Sequence, residues 1–368
     1  MRRLIDRLAA GRMLARQEFR ALIEGREAPG LADYLFERAR AACERFYAKD
    51  VYMRGLIEFT NYCRNDCLYC GIRRSNLQAE RYRLSKDQIL ACCCQGYALG
   101  FRTFVLQGGE DPYFSDARMT EVVSAIHGAY PDCAITLSLG ERSYASYQRL
   151  FEAGAERYLL RHETANEAHY QHMHPASMSW SQRVRCLYEL KEIGYQVGCG
   201  FMVGSPGQST ECLIDELYFI KALRPQMVGI GPFIPHKATP YAAQKAGTLE
   251  LTLFMLGLIR LLEARALLPA TTALGTIHPQ GRERGVMAGA NVVMPNLSPV
   301  GVRDKYLLYD NKICTGDEAA ECRHCLQNRM RNIGYNLVSA RGDCAGFAAN
   351  TLTGRVITDP EEQEEVYV

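Results

Sequence analysis

Short apolar runs rich in β-branched residues recur along this chain, and polar loops and helix-type periodicity separate them. Such runs predict buried strands, while apolar residues spaced three and four apart predict amphipathic helices. Eight strands are predicted, at 56–59, 103–107, 134–138, 157–161, 196–203, 226–231, 269–273 and 291–295. Six helices are predicted between them, at 85–98, 117–127, 142–152, 180–193, 209–223 and 249–266. Ser85 and Gln88 begin the first helix with a capping-box pattern.

Strands that alternate with helices in this way predict an α/β protein built as a parallel (β/α)8 TIM-type barrel. An open doubly wound sheet stays possible, because periodicity does not reveal whether a sheet closes. We expect a helical extension over 1–50, the barrel over 51–310, and a cysteine-bearing tail over 311–368. Active sites of such barrels lie at the carboxyl ends of the strands, so the residues that follow each strand are the candidates for chemistry.

Composition narrows the classes of function. The 368 residues are 48% hydrophobic and 23% charged, with a net charge of +2, which is ordinary for a soluble globular protein. Neither a polybasic block nor an apolar run of about 20 residues occurs, so we expect no nucleic-acid partner and no membrane partner. Fifteen cysteines without a secretory signal indicate the reducing cytoplasm, where clustered thiols bind metal more often than they pair.

Three of these cysteines lie close together in "NYCRNDCLYCGIRR" (61–74), directly after the first predicted strand. Three thiolates can hold three corners of a four-iron cluster and leave one iron with an open coordination position, whereas four would saturate it. A zinc loop that takes a distant fourth ligand is the alternative interpretation. The spacing of Cys63, Cys67 and Cys70, with Tyr69 before the last cysteine, resembles the signature of the radical S-adenosylmethionine (SAM) enzymes.

That resemblance implies a chemistry. In those enzymes SAM binds the open iron of a 4Fe-4S cluster, and an electron from the cluster cleaves SAM to methionine and a 5′-deoxyadenosyl radical. The three cysteines would be the catalytic cluster ligands, and Tyr69 would contact adenine. "QGGED" (107–111), at the end of the second strand, resembles the family's GGE motif, so Gly108, Gly109 and Glu110 would bind the SAM ammonium group.

The fourth predicted strand ends in "LLRHETAN", where Arg161 and Glu163 alternate with His162 and so share one side of the strand. They could pair with each other and seal the barrel rim. Alternatively, the carboxylate holds ribose hydroxyls and the guanidinium holds a substrate carboxylate. Arg183, on the following helix, is either a clamp for the methionyl carboxylate of SAM or a solvated helix residue.

Longer phrases carry a more specific resemblance. "IEFTNYCRNDCLYCGIRR", "VLQGGEDPY", "RYLLRHETAN", "MVGIGPFIPH", "PATTALGTI" and "GANVVMPN" together resemble the HydE family of FeFe-hydrogenase maturases, in order from about 52 to 330. The resemblance implies that SAM is contacted by Tyr69, Ser138, Glu163 and Arg183. It implies a substrate cavity lined by Thr136, Arg161, Met227, Thr271, Thr272, Met294 and Tyr309.

The same resemblance implies a role in assembling the diiron subcluster of the hydrogenase H-cluster, on a small-molecule or organometallic substrate. Partner maturases HydG and HydF and an electron donor such as ferredoxin or flavodoxin are implied with it. A mutase like methylornithine synthase, another HydE paralogue, and a non-catalytic iron–sulfur scaffold are the alternative hypotheses.

A second cysteine group lies in the tail, at Cys314, Cys322 and Cys325. It resembles the auxiliary cluster site of some HydE proteins, which implies a possible second iron–sulfur cluster, 2Fe-2S or 4Fe-4S. Bare thiols, or adventitious zinc helped by His324, are the alternative.

Overall fold

The predicted α/β barrel is confirmed in a computed structural model, which describes residues 1–313 and 319–347. The strands are β1 Asp50–Met53, β2 Gly55–Thr60, β3 Thr103–Gly108, β4 Ala134–Ser138, β5 Arg157–Leu159, β6 Gln196–Cys199, β7 Met202–Val203, β8 Met227–Val228, β9 Gly231–Pro232, β10 Val292–Val293 and β11 Asn336–Val338. Six of them form one parallel sheet in the order β2-β3-β4-β5-β6-β8.

The helices are α1 Arg2–Ala9, α2 Arg16–Glu24, α3 Leu31–Tyr47, α4 Lys86–Ala98, α5 Asp116–Ala129, α6 Tyr144–Glu152, α7 Glu167–Met173, α8 Trp180–Ile193, α9 Thr210–Leu223, α10 Leu249–Leu262, α11 Thr272–Ile277, α12 Gly281–Met287, α13 Val300–Arg303 and α14 Ala319–Asn332. All six predicted helices are present. Ser85 caps α4 as predicted, because its hydroxyl accepts the Gln88 N–H at 3.2 Å. No helix in the described ranges is both long and apolar enough to cross a bilayer.

Backbone pairing closes the sheet into a ring. Residues 267–270 pair in parallel with β8 on one side and with β10 on the other. The Leu297 N–H donates to Leu56 O at 2.7 Å, which joins the chain after β10 to β2. The eight predicted runs therefore surround one barrel, and the open-sheet alternative is wrong.

The prediction of a strand over 269–273 is wrong in its second half. Only Pro269 makes a bridge there, and Thr271 is instead the N-cap residue of α11, which begins at Thr272. Threonine favours strands because it is β-branched, but its short hydroxyl side chain also suits helix starts, and here the turn into α11 prevails. Both threonines consequently lie at the carboxyl end of the barrel.

The predicted strand over 196–203 is divided into β6 and β7 at a glycine. A Cβ atom on Gly200 would lie 2.0 Å from Gly229 O, so the two backbones approach each other closely only because Gly200 has no side chain. The strand end of β5 pairs at the same level, where Glu163 N–H donates to Gly200 O at 3.0 Å. The chain after β5 and the chain after β6 therefore lie at the same height in the barrel, and the candidate site begins there.

The helices before β1 pack on the outside of the barrel rather than standing apart from it. Helix α3 lies along α10 and α2 lies against α9, and their apolar residues join the main core. Helix α10 is buried on nearly all sides because it lies between the barrel and α3. One continuous core thus supports the barrel wall opposite the cysteine loop.

The amino-terminal end of the barrel is covered by the segment after β11. Arg157, the first residue of β5, is fully buried and donates to Asp343 Oδ1 at 2.7 Å, and Gln196 donates to the same oxygen at 2.9 Å. Thr103 Oγ1, at the start of β3, donates to Arg341 O at 2.7 Å. Residues 341–344 therefore join three strands at this end.

Asp343→Asn is expected to destabilise the fold, because it leaves the Arg157 guanidinium buried without a carboxylate. The expected loss is about 3 kcal/mol in the free energy of unfolding, the usual cost of removing one partner of a buried ion pair. Urea midpoints at neutral pH measure it, and Asp304→Asn, at an exposed aspartate, is the matched control. Equal midpoints for the two variants would contradict the covering role.

The ion pair between Arg157 and Asp343 also makes the stability of the fold depend on pH. Burial opposes ionisation of Asp343, but the attraction of Arg157 and three hydrogen-bonded side chains lower its pKa below the ordinary 3.8. A carboxyl group whose pKa is lower in the folded state than in the unfolded state stabilises the fold. That stabilisation is complete above the unfolded-state pKa and is lost as the pH falls toward the folded-state pKa. The stability difference between the wild type and Asp343→Asn should therefore shrink below about pH 4.

Candidate functional site

The cysteine loop lies at the carboxyl end of β2, and neighbouring segments hold it from three sides. Arg64 N–H donates to Glu110 O at 2.9 Å, Leu68 N–H to Met173 O at 3.0 Å, and Gly71 N–H to Leu308 O at 2.9 Å. These contacts tie the loop to the ends of β3 and α7 and to the chain before residue 313. The loop is therefore built into the top of the barrel.

The three thiols form a half-buried group that needs a positive partner to ionise. Burial raises the pKa of Cys70 to about 12, and it raises that of Cys67 well above its ordinary value, with the other two thiols adding to the rise. Burial raises the pKa of Cys63 as well. Thiolates in this environment are stable when bound to metal, since metal coordination deprotonates a thiol outright.

No group of three Cys, His, Asp or Glu side chains within 1–313 and 319–347 is arranged to hold a single metal ion. The three thiols nevertheless lie close enough together to influence one another's pKa. Three thiols carried by one loop can be ligands for separate corners of a multi-iron cluster.

The glycines at the end of β3 make room for the cysteine loop. A Cβ on Gly109 would lie 2.2 Å from Tyr62 O and 2.8 Å from Cys63 Cβ, and one on Gly108 would lie 2.8 Å from Thr60 Cγ2. The two strand ends consequently pack with backbone against backbone. A side chain at Gly109 would push the first cysteine out of position.

Glu110 is held between two arginines. Arg64 Nη2 lies 3.0 Å from Glu110 Oε2, and Arg183 Nη1 lies 3.6 Å from Oε1. Arg183 Nε also lies 3.0 Å from Glu141 Oε1. Burial opposes the charge on Arg183, yet Glu110 and Glu141 raise its pKa well above the ordinary value. Of the two interpretations of Arg183, the solvated helix residue is wrong, because the side chain is buried among these carboxylates.

Tyr69 lies between the second and third cysteines and contacts a buried histidine. His174 Nδ1–H donates to Tyr170 O at 2.8 Å, which leaves Nε2 to accept the Tyr69 hydroxyl at 3.2 Å. Burial lowers the pKa of His174 to about 3, so the ring is neutral and keeps this tautomer. The contact fixes the direction of the Tyr69 ring beside the thiols.

The backbone just after β5 adopts a strained conformation, and a buried histidine supports it. Glu163 has a φ of +66°, which is uncommon for any residue but glycine. Its neighbour His162 accepts the Gly200 N–H at Nδ1 (3.2 Å) and donates from Nε2 to Glu216 at 2.6 Å, both side chains being fully buried. The buried histidine anchors the backbone, so that Arg161 and Glu163 are held at the barrel mouth.

Several buried polar atoms of residues 1–313 and 319–347 have no hydrogen-bond partner within these ranges. They include Thr136 Oγ1, Arg161 Nε and Nη2, Glu163 Oε2, and Thr271 Oγ1. Arg161 and Glu163 lie 3.2 Å apart, so their charges attract, but the two groups are not aligned for a hydrogen bond. Each orphaned group costs about 1–3 kcal/mol unless something satisfies it, so this set fits a polar ligand bound inside the barrel.

Tyr309, Thr272 and Ser138 lie around the same region. Burial raises the pKa of Tyr309 to about 12, with a hydrogen bond to Thr276 opposing the rise, and Arg161 is near enough to influence it. Thr272 begins α11 beside Thr271, and Ser138 is the last residue of β4. Tyr309 is therefore placed near Arg161, and Thr272 and Ser138 lie where α11 begins and β4 ends.

The two predicted cavity methionines lie elsewhere, in an apolar cluster with Tyr47, Leu267 and Val292. Met227 is buried, and its sulfur accepts a hydrogen bond from Arg54 Nη1 at 2.9 Å. Met294 packs against the same cluster from its edge. Both methionines therefore pack against apolar neighbours, and the Met227 sulfur also contacts a buried guanidinium.

The tail cysteines are only partly described. Cys314 lies outside the described residues, and so does the side chain of Cys322. Cys325 is an exposed thiol on α14. The proposed second cluster therefore stays a prediction.

Sequence reasoning missed two residues of the site. Glu141 follows β4, and the rule that strand ends carry the chemistry could have found it in "TLSLGE". Burial raises its pKa, and Arg183 opposes the rise. His174 gave no such signal, because it caps the short helix α7 and reaches Tyr69 only through the fold.

Comparisons with known proteins agree with this geometry. The profile of the Radical SAM superfamily matches residues 57–220. The chain is 44% identical over 83% of its length to the FeFe hydrogenase maturase subunit HydE of Thermotoga maritima, of which it covers 87%. It is 28% identical over 78% of its length to a 3-methylornithine synthase of Methanosarcina acetivorans, covering 81% of that protein. The crystal structure of methylornithine synthase (PylB) superposes with a TM-score of 0.79 at 26% identity, over 91% of this chain and 97% of the other.

Proposed function

Because this chain belongs to the radical SAM superfamily and, within it, to the HydE family, we propose that it is a radical SAM enzyme of hydrogenase maturation. Its task is a step in assembling the diiron subcluster of the FeFe-hydrogenase H-cluster. The observation that carries the proposal is the pairing of a three-thiol loop with a set of unsatisfied polar groups inside one barrel. The first suits a cluster with one open corner, and the second suits a substrate.

The residues present fit the cofactors. Cys63, Cys67 and Cys70 would hold a 4Fe-4S cluster, which when bound supplies the electron that cleaves SAM to methionine and a 5′-deoxyadenosyl radical. Tyr69 lies between two of the cluster ligands, where its fixed ring can support the adenine of SAM. Gly108 and Gly109 let the backbone approach closely.

Charged groups would then orient SAM by its polar ends. Glu110 offers a carboxylate to an ammonium group, and Arg183 offers a guanidinium to a carboxylate, in a site where burial strengthens both interactions. Glu163 and Ser138 lie at neighbouring strand ends and suit the ribose hydroxyls. Each group thereby matches one part of the cofactor.

The polar groups around Arg161 suit the substrate. A guanidinium with threonine hydroxyls at Thr136, Thr271 and Thr272 recognises an amino-acid carboxylate, with Tyr309 nearby. The thioethers of Met227 and Met294 are soft groups that tolerate a sulfur- or metal-bearing ligand deeper in the barrel. The substrate would be an organometallic species that carries an amino-acid moiety.

The cellular setting follows from the same family. We propose HydG and HydF as partner maturases, and ferredoxin or flavodoxin as the electron donor. We place the protein in the reducing cytoplasm, since all thirteen described cysteines are free thiols. The tail group of Cys314, Cys322 and Cys325 would hold a second iron–sulfur cluster, 2Fe-2S or 4Fe-4S.

The test uses anaerobically reconstituted protein with dithionite and SAM. We expect 5′-deoxyadenosine and methionine in equal amounts, and activation of an apo-hydrogenase when HydG and HydF are added. SAM cleavage that supports turnover of lysine but no hydrogenase activation would favour the methylornithine-synthase-like alternative. Absence of both SAM binding and SAM cleavage would favour a non-catalytic scaffold.

Gly109→Ala is expected to prevent cluster assembly, because the new methyl group would meet the backbone of Tyr62 at 2.2 Å. The first cysteine must then move, and iron bound after reconstitution should fall well below three-quarters of the wild-type content. Gly128→Ala on α5 is the matched control, since a Cβ there meets nothing within 4 Å. Normal iron content and normal SAM cleavage in Gly109→Ala would show that the cysteine loop keeps its position without the close packing of Gly109 against Tyr62.

A further inference from the structure

The loop that follows the last cysteine is ordered by its own hydrogen bonds. We call residues 71–83 the arginine loop. The Arg81 guanidinium donates at 2.5 to 3.1 Å to four backbone carbonyls, those of Asn61, Ile72, Arg73 and Asn76. The Asn76 side chain donates to Gly71 O at 2.6 Å. These bonds hold the loop in one conformation without burying its outer side.

The outer side presents a leucine to water. Leu77 is 94% exposed, whereas the next most exposed large hydrophobic side chain of the described residues, Met1, is 49% exposed. A single exposed apolar residue is ordinary on a protein surface, so the residues around Leu77 decide whether it marks a binding surface. Here it stands on a preorganised loop, where binding would lose little conformational entropy.

The surroundings of Leu77 are cationic. Residues 64–83 contain five arginines and two acidic residues, a net charge of +3, although the whole chain carries only +2. Arg74 is exposed, and it makes no ion pair with any residue in the described ranges. This short stretch therefore concentrates positive charge on one face of a nearly neutral protein.

Two further arginines direct their charge outward although they are ion-paired. Arg64 is 56% exposed while its partner Glu110 is 9% exposed. Arg83 is 34% exposed while its partner Asp111 is 1% exposed. The carboxylates lie below the guanidinium groups, so the surface seen by an approaching molecule is positive.

We propose that the arginine loop is the docking surface for a small acidic one-electron carrier, with Leu77 as the apolar anchor beside the exposed Arg74. The proposal rests on the proposed function, which requires an electron. In the encounter the carrier would lose one electron, a cluster held by Cys63, Cys67 and Cys70 would gain it, and no covalent bond would form or break. The loop begins directly after Cys70, and the Arg74 N–H donates to Asn65 O, between the first and second cysteines, at 2.9 Å. A carrier docked at Arg74 would therefore lie near the cluster ligands, where the short distance favours electron transfer.

Binding is the first test, and it does not depend on catalysis. Flavodoxin serves as the acidic probe, and titration calorimetry at low ionic strength measures its Kd for the reconstituted protein. We expect the double variant Arg74→Glu/Leu77→Ala to raise the Kd at least about tenfold, because it reverses one rim charge and removes the anchor. The wild-type Kd should rise with salt, since the contact is exposed to screening.

Arg12→Glu is the matched control, because it makes the same charge change at an exposed arginine on the loop between α1 and α2. It should leave the Kd for flavodoxin unchanged. An equal loss of binding in both variants would show attraction to net charge alone and would overturn the proposal. So would unchanged binding in the double variant.

Activity separates this proposal from the proposed function. The double variant should cleave SAM at the wild-type rate with dithionite and more slowly with reduced flavodoxin, with a higher KM for flavodoxin. Equal flavodoxin-driven rates in the two proteins would overturn the docking surface alone. A wild type that does not cleave SAM even with dithionite would overturn the proposed function, whatever the binding data show.

Discussion

Replacing Cys67 by alanine is expected to abolish SAM cleavage. Cys67 is the central of three thiols that influence one another's pKa, and its loss leaves two ligands for a cluster that needs three. The loss of 5′-deoxyadenosine formation should exceed the roughly 100-fold that a substitution behind a metal ligand costs. Quantification of 5′-deoxyadenosine after anaerobic reconstitution with dithionite measures it, together with iron content and the electron paramagnetic resonance signal of the reduced cluster.

The matched control is Cys94→Ala on α4, an exposed cysteine far along the chain from the loop. It should keep iron content and cleavage at wild-type values, because it removes a thiol without removing a ligand. Retained SAM cleavage in Cys67→Ala would remove the foundation of the proposed function. A loss in both variants would indicate general thiol damage during reconstitution.

Replacing Arg161 by glutamine is expected to separate SAM cleavage from hydrogenase maturation. Arg161 has two buried N–H groups without partners and lies 3.2 Å from Glu163, so it is available to a bound carboxylate. Losing a buried charge-assisted contact costs about 2 kcal/mol or more, which corresponds to at least about 30-fold in activation of the apo-hydrogenase. 5′-Deoxyadenosine should still form, but its formation should no longer be accompanied by activation of the apo-hydrogenase.

Two variants make this result specific. Arg161→Lys should recover only part of the activation, because an ammonium group cannot bind a carboxylate with two parallel hydrogen bonds. Arg149→Gln, at an exposed position on α6, should leave both products unchanged. Equal losses of 5′-deoxyadenosine and of activation in Arg161→Gln would instead assign this arginine to the binding of SAM.

The strand pattern was sufficient to predict eight buried parallel strands, because each run of apolar residues has to be buried from both sides. Closure of the sheet is visible only in the backbone pairing of residues 267–270 and Leu297. The strand pattern failed at 269–273, where Thr271 and Thr272 satisfy a strand and a helix start equally well and only the turn after Pro269 decides between them. Cys63, Cys67 and Cys70 could be found from their spacing within one loop, and Gly109 from the glycine pair at the end of the next predicted strand.

Other parts of the site are not local. Arg183 has the sequence neighbourhood of a solvated helix residue, and it is buried only because Glu110 and Glu141 arrive from two different strands. His174 contacts Tyr69 across more than one hundred residues of chain. Such contacts leave no periodic pattern in the sequence, because the position of each partner is set by the helix or strand that carries it.

By itself, therefore, the order of residues determined the alternating strands and helices and the three-thiol loop after the first predicted strand, since burial periodicity and ligand spacing act over a few residues. Only the tertiary structure decided which charges face one another and which remain unsatisfied. The left-handed backbone at Glu163 is held by Gly200, whose carbonyl accepts the Glu163 N–H at 3.0 Å, and the Tyr69 hydroxyl meets His174 at 3.2 Å, so both contacts join residues that are distant in the chain. Electrostatic interactions in a buried site are set by the distance between groups and by desolvation, and neither quantity exists until the chain has folded.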